Sequence, residues 1–193
     1  MQKPNGYDEA SDGSFSPVDL GGHYAIIKQV TEKQSSTGKD MVVVLFDFVS
    51  PDKQAGYHTK AFEASPRRKW PFNGSRYIMV RNNNDPNKTD WRFKAFCTSF
   101  QQSNGVEIKW GGDDWDKQFV GKKIGVVYGE EEHEYDGKRS MRRLPVRFCS
   151  WDSVATAEIP DPTYLASKPS ASAAAKPDDF INVPDTEDEE IPF

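Results

Sequence analysis

Residues 22–30 read His23-Tyr24-Ala25-Ile26-Ile27-Lys28-Gln29-Val30, which has the composition of a first strand. The polar run Ser35-Ser36-Thr37-Gly38-Lys39-Asp40 then supplies a turn. Met41–Phe48 is β-branched and apolar on both faces, the strongest strand signal in the chain. Gly56–Ala64 and Arg76–Arg81 are two further strand candidates, separated by Pro66–Gly74. The period then changes. Phe93, Phe96, Cys97 and Phe100 fall at i, i+3, i+4 and i+7, which predicts an amphipathic helix over 90–103. Thr89 or Asp90 can cap it, and Asn104-Gly105 ends it. Its aromatic stripe is core rather than binding surface. Lys123–Glu130 is another strand, Asp136-Gly137 a hairpin turn, and Arg139–Ser150 the closing strand.

Strands, then one helix, then two strands is the order of an OB-fold. The expected class is therefore mainly β: a five-stranded OB-fold barrel with one helix between strands 3 and 4. A generic α+β sandwich is the alternative. The flanks differ in composition. Residues 1–20 are polar and rich in Gly, Ser, Asp and Pro, the makings of a flexible N-terminal arm. Residues 152–184 carry Pro160, Pro162, Pro169, Pro177 and an Ala/Ser stretch at 170–175, the composition of a disordered linker. The folded domain expected is 21–151, with an acidic tip at 185–193.

Charge divides along the same lines. The whole chain carries −5. Residues 161–193 hold eight acids against two lysines, whereas residues 21–151 hold 16 acids against 22 Lys and Arg. A cationic body on an acidic tail is the pattern of a basic binding module with an interaction tail. No run of about 18 apolar residues is present, so no membrane helix is expected. The N-terminus lacks an apolar signal core, so the cytoplasm is the expected location, the host's if a phage encodes the chain. Cys97 and Cys149 stand far apart in sequence and read as small buried hydrophobes.

Two constellations point to nucleic acid. Arg67-Arg68-Lys69-Trp70-Pro71-Phe72, followed by Arg76, Tyr77 and Arg81, interleaves cations with rings. Cations release counterions from phosphates, and rings offer stacking faces to unpaired bases. In the last strand, Arg139, Arg143 and Arg147 share one parity with Met141 and Pro145. Strict alternation places Arg143 and Arg147 on one basic stripe, away from Leu144, Val146 and Phe148. A third cluster, Glu130-Glu131-Glu132-His133-Glu134, raises metal-assisted nuclease chemistry. Consecutive strand residues splay to alternate faces, however, so a solvated hairpin tip is the better reading. His23, His58 and His133 have no metal-ligand spacing with the cysteines. No phosphate loop or nucleophile elbow is present, so neither metal nor organic cofactor is expected.

The last residues, Asp188-Glu189-Glu190-Ile191-Pro192-Phe193, set an apolar tip on an acidic run. Phe193 suits a pocket, Pro192 limits the conformational loss on docking, and the acids suit basic side chains on a partner. The tail Asp185–Phe193 resembles the C-terminal end of bacterial single-stranded DNA-binding proteins, and the layout of the body is similar to those of phages. The stretch Phe119–Glu132 also resembles a segment of phage replication-module proteins. The resemblance implies a non-enzymatic protein that coats single-stranded DNA. Through its tip it would recruit replication, recombination and repair proteins. The long 65–75 loop and the central helix depart from the bacterial pattern, so tetramerisation does not carry over; a homodimer remains compatible. A metal-dependent nuclease using residues 130–134 and an adaptor that never touches nucleic acid are the competing readings.

Overall fold

The structure is a computed structural model that describes residues 16–165. It is mainly β. Five strands, β1 (Gly21–Gln34), β2 (Asp40–Phe48), β3 (Ser75–Met79), β4 (Lys123–Tyr135) and β5 (Lys138–Cys149), form one antiparallel sheet in the order β3-β2-β1-β4-β5. The turns fall where the sequence puts them, with Gly38 (φ 74°) and Asp136-Gly137 (φ 51° and 70°) in left-handed backbone. One helix, α2 (Trp91–Asn104), lies between β3 and β4 as expected. The Asp90 side chain accepts the Arg92 N–H at 2.8 Å, and Gly105 takes the left-handed cap at φ 61°.

The barrel expectation is not met. β3 and β5 stand at the two edges of an open sheet. Where a closing ladder would run, Arg76 reaches across and its guanidinium donates to the carbonyl of Pro145. Two features of the chain oppose a ladder there. β3 is only five residues long, and Pro145 has no N–H to give.

The expected strand at Gly56–Ala64 is also corrected: residues Tyr57–Ala64 form a helix, α1, between β2 and β3. Its cap comes from elsewhere in the fold. The buried Asp47 carboxylate on β2 accepts the N–H groups of His58 (2.9 Å) and Thr59 (3.3 Å), together with the Thr59 hydroxyl. Those first-turn donors would otherwise be unsatisfied. A cap supplied from β2 leaves no local pattern to read.

The core lies between the inner face of the sheet and α2. Phe93, Phe96, Cys97 and Phe100 of α2 are buried, with Phe96 ring to ring against Phe119 (5.4 Å) and Phe148 (5.1 Å). Both cysteines are free and buried. Flanking residues join this body. Val18 is part of the core, residues Trp151–Thr156 form a 3-10 helix, and Thr163 makes a parallel bridge to Glu131 on the outer edge of β4. Among the described residues no helix is long and apolar enough to cross a membrane.

Candidate nucleic-acid interface

The outer face of the sheet is set by pleat and register. Val42, Val44 and Phe46 point into the core, so Met41, Val43 and Leu45 point outward. Cross-strand pairing puts Met79, Tyr77 and Ser75 opposite them on β3, and Lys33, Thr31 and Gln29 opposite them on β1. A band of methionine, valine, leucine and tyrosine therefore runs along one side of three strands, with Lys33 at its edge. Tyr77 is 52% exposed and Phe72, in the preceding turn, 57%. Their rings stack at 6.4 Å with an interplanar angle of 29°, and the Arg142 guanidinium sits 5.8 Å from the centre of Phe72. Two open aromatic faces with a cation against one of them are the chief feature of this surface.

The loop that presents Phe72 is held from below. The Trp70 indole N–H donates to the Gly74 carbonyl at 2.9 Å, and its ring lies 5.8 Å from Phe62 and 6.5 Å from His58. The predicted stacking residue Trp70 is thus half-buried as a prop, and Phe72 is the ring left open. Gly74 is required at this prop: a Cβ there would sit 2.7 Å from Trp70 Nε1 and 2.8 Å from His58 Cγ, both rigid ring atoms. Beneath the loop, Tyr128 donates its hydroxyl proton to the Asn73 carbonyl, and its oxygen is 3.1 Å from His58 Nε2. That chain assigns the proton to His58 Nε2 and leaves Nδ1 without a partner among the described residues.

Burial accordingly pulls the His58 pKa from 6.5 down to about 4. The unfolded chain takes up a proton near pH 6.5 and the folded protein only near pH 4. Stability from this group is complete above the higher value and is lost as pH falls through the lower. Urea unfolding followed from about pH 7 to pH 4 should lose up to about 3 kcal/mol. A profile flat across that window contradicts the assignment.

The remaining predicted cations divide into three groups. Arg67, Arg68 and Lys69 are exposed on the 65–74 loop, and Arg81 is exposed beyond β3. Arg76 is the seam residue, and burial, with the nearby Arg92 charge, lowers its pKa to about 10. Three arginines of β5 face acids across the hairpin. Arg143 meets Glu130 at 3.3 Å, Arg142 meets Glu131 at 3.0 Å, and Arg139 meets Glu132 and Glu134 at 3.5 and 3.3 Å.

The expected basic stripe on β5 is therefore corrected. The register slips between Val127 and Tyr128, which pair with Arg147 and Pro145, so Val146 is an extra residue in β5. One inserted residue reverses parity, placing Arg147 and Arg143 on opposite faces. Arg147 is exposed, whereas Arg143 is half-buried and also donates to the Val18 carbonyl at 2.7 Å.

The same ion pairs account for the acidic run at 130–134. Its four carboxylates serve as partners for arginines, and among the described residues no group of three or more His, Cys, Asp or Glu is arranged to hold a metal. Lys33, Met41 and Arg142 belong to the candidate surface but escaped the sequence reading. Strand alternation flags Met41 only once the inner face is known, and Arg142 owes its place over Phe72 to the hairpin's path. The tip residues Asp188, Glu189, Glu190, Ile191, Pro192 and Phe193 lie outside the described residues.

No protein-family model matches the chain. No curated protein matches it in sequence.

Proposed function

We propose that this protein binds single-stranded DNA without catalysing a reaction. Bases would stack on Phe72 and Tyr77 along the outer face of β1, β2 and β3. The stacked, exposed Phe72–Tyr77 pair beneath the Arg142 guanidinium carries the reading. Each base–ring stack is worth about 1–3 kcal/mol and is indifferent to sequence. Phosphates would meet Lys33, Arg67, Arg68 and Arg81 at the borders of the apolar band. An OB-type architecture supports the same reading. The order β3-β2-β1-β4-β5, the helix between β3 and β4, and the Arg76 bridge across the β3–β5 gap fit a partly open barrel of that type. The ion-paired acids of β4 give the nuclease alternative no support.

Salt dependence is the test. Affinity for oligo(dT) should fall with added salt, with a log–log slope of about −0.7 for each phosphate neutralised. No binding, or binding insensitive to salt, refutes the proposal.

The acidic tip completes it. Residues 188–193 would recruit replication, recombination or repair proteins, with Phe193 as anchor. The full chain coupled to a resin should retain such proteins from a host extract, and Phe193→Ala should release them. Equal retention by both forms refutes the docking role.

A further inference from the structure

We infer that the aromatic cleft at the β1–β2 turn end of the sheet is a second site for an unpaired nucleobase; this rests on the proposed single-strand binding. The cleft has a volume of about 620 Å³, and its walls include Lys33, Met41, Phe93, Trp110 and Trp115. Trp110 is 65% exposed, a large apolar ring held in the open. It is not loosely placed. Its ring stacks on Trp115 at 6.0 Å and 27°, and lies 6.2 Å from Phe93. Gly111 and Gly112 follow at φ 82° and 85°, and a Cβ on either would meet nothing within 4 Å. The two residues after the ring therefore carry no side chain that could cover it.

Two further observations specify the ligand. Trp115 is 8% exposed, and its indole Nε1–H has no acceptor among the described residues. A buried donor left unmade is costly, and a ligand that opens the cleft far enough to bring an acceptor to it, such as a carbonyl oxygen or ring nitrogen of a base, removes that cost. The second observation is continuity. Lys33 and Met41 pair across β1 and β2 on the outer face, the same face that carries Tyr77, and both also line the cleft. A strand stacked on Phe72 and Tyr77 and running toward the β1–β2 turn meets Lys33 and Met41, which also line the cleft, and reaches Trp110 by turning around that end of the sheet. Lys33 stands where the two sites meet and is suited to a phosphate between them. Glu32 and Asp40 also line the cleft; they repel a phosphate and accept the N–H groups of a base, such as the ring N3–H of thymine. The base end of a nucleotide enters, and its phosphate stays on the Lys33 side. A peptide carbonyl would also satisfy Trp115, but continuity with the Tyr77 face favours the nucleic acid.

The test compares full-length wild type, Trp110→Ala and Trp110→Phe on oligo(dT) of about five and about 16 nucleotides, lengths near the extremes of single-domain sites. The short oligonucleotide is satisfied by Phe72 and Tyr77, so Trp110→Ala should leave its affinity unchanged. The long one should bind Trp110→Ala about 5- to 150-fold more weakly, while Trp110→Phe keeps most of the affinity. Trp110 is exposed, so thermal unfolding should match wild type. Equal affinity of wild type and Trp110→Ala at the longer length overturns the inference, while binding by the wild type keeps the single-strand proposal. An equal loss at both lengths also overturns it, because Trp110 would then belong to the first site. If a peptide of residues 176–193 quenches Trp110 and the oligonucleotide does not, the cleft is a peptide site and the inference falls. If the wild type binds neither oligonucleotide, the functional proposal falls with it.

Discussion

Phe72→Ala combined with Tyr77→Ala should weaken oligo(dT) binding by at least about 30-fold, the sum of two stacking losses at the low end of their range. Both rings are more than half exposed, so their removal leaves the core intact and thermal unfolding nearly unchanged. The two rings touch, at 6.4 Å between centroids, so the single substitutions should not add. Removing either ring also exposes the face of the other. The double variant measured against both singles gives that coupling. The salt slope should stay constant, because no phosphate contact has been removed. A double variant that binds like the wild type removes the aromatic platform from consideration. A steeper or shallower slope would mean that the substitutions displaced the cationic loop beside them.

Phe46→Ala should cost about 3–5 kcal/mol, a large part of the roughly 5–15 kcal/mol that holds a domain together. Phe46 is fully buried in β2 and joins three parts of the fold. Its ring meets Phe148 of β5 edge-on at 5.9 Å, His58 of α1 edge-on at 5.6 Å, and Phe48 at 6.5 Å. β5 is separated from β2 in the sheet by β1 and β4, so this contact crosses the core. In urea the midpoint should fall sharply with an unchanged slope. A loss below about 1 kcal/mol would show that the site collapses around the cavity and that the open sheet is held elsewhere.

All five strands and α2 were legible because their signals are local. Met41–Phe48 is apolar enough to be buried wherever it goes, and the helix stripe of Phe93, Phe96, Cys97 and Phe100 needs only its own spacing. α1 was not legible. Tyr57–Ala64 is a helix capped by Asp47 of β2, 11 and 12 residues before the N–H groups it accepts, and propensity yields to such a tertiary partner. The candidate site was legible in kind but not in arrangement. The 67–77 segment was found through its mixture of cations and rings. Composition could not say that Trp70 turns inward to a carbonyl while Phe72 stays out. Nor could strand parity foresee Val146, whose insertion sends Arg147 and Arg143 to opposite faces.

The chain's own pattern determined that this is a mainly β body with one buried amphipathic helix, cationic between residues 21 and 151, and joined to an acidic tip. These properties sum over neighbouring residues, so periodicity and charge reveal them. Tertiary structure alone decided that the sheet stays open with Arg76 across the gap. It also decided that the acids of β4 pair with Arg139, Arg142 and Arg143 of β5, and that Phe72, Tyr77 and Arg142 meet on one surface. Each of those outcomes depends on groups far apart in sequence and on the phase of a strand. A single inserted residue changes that phase while leaving composition and local propensity almost untouched.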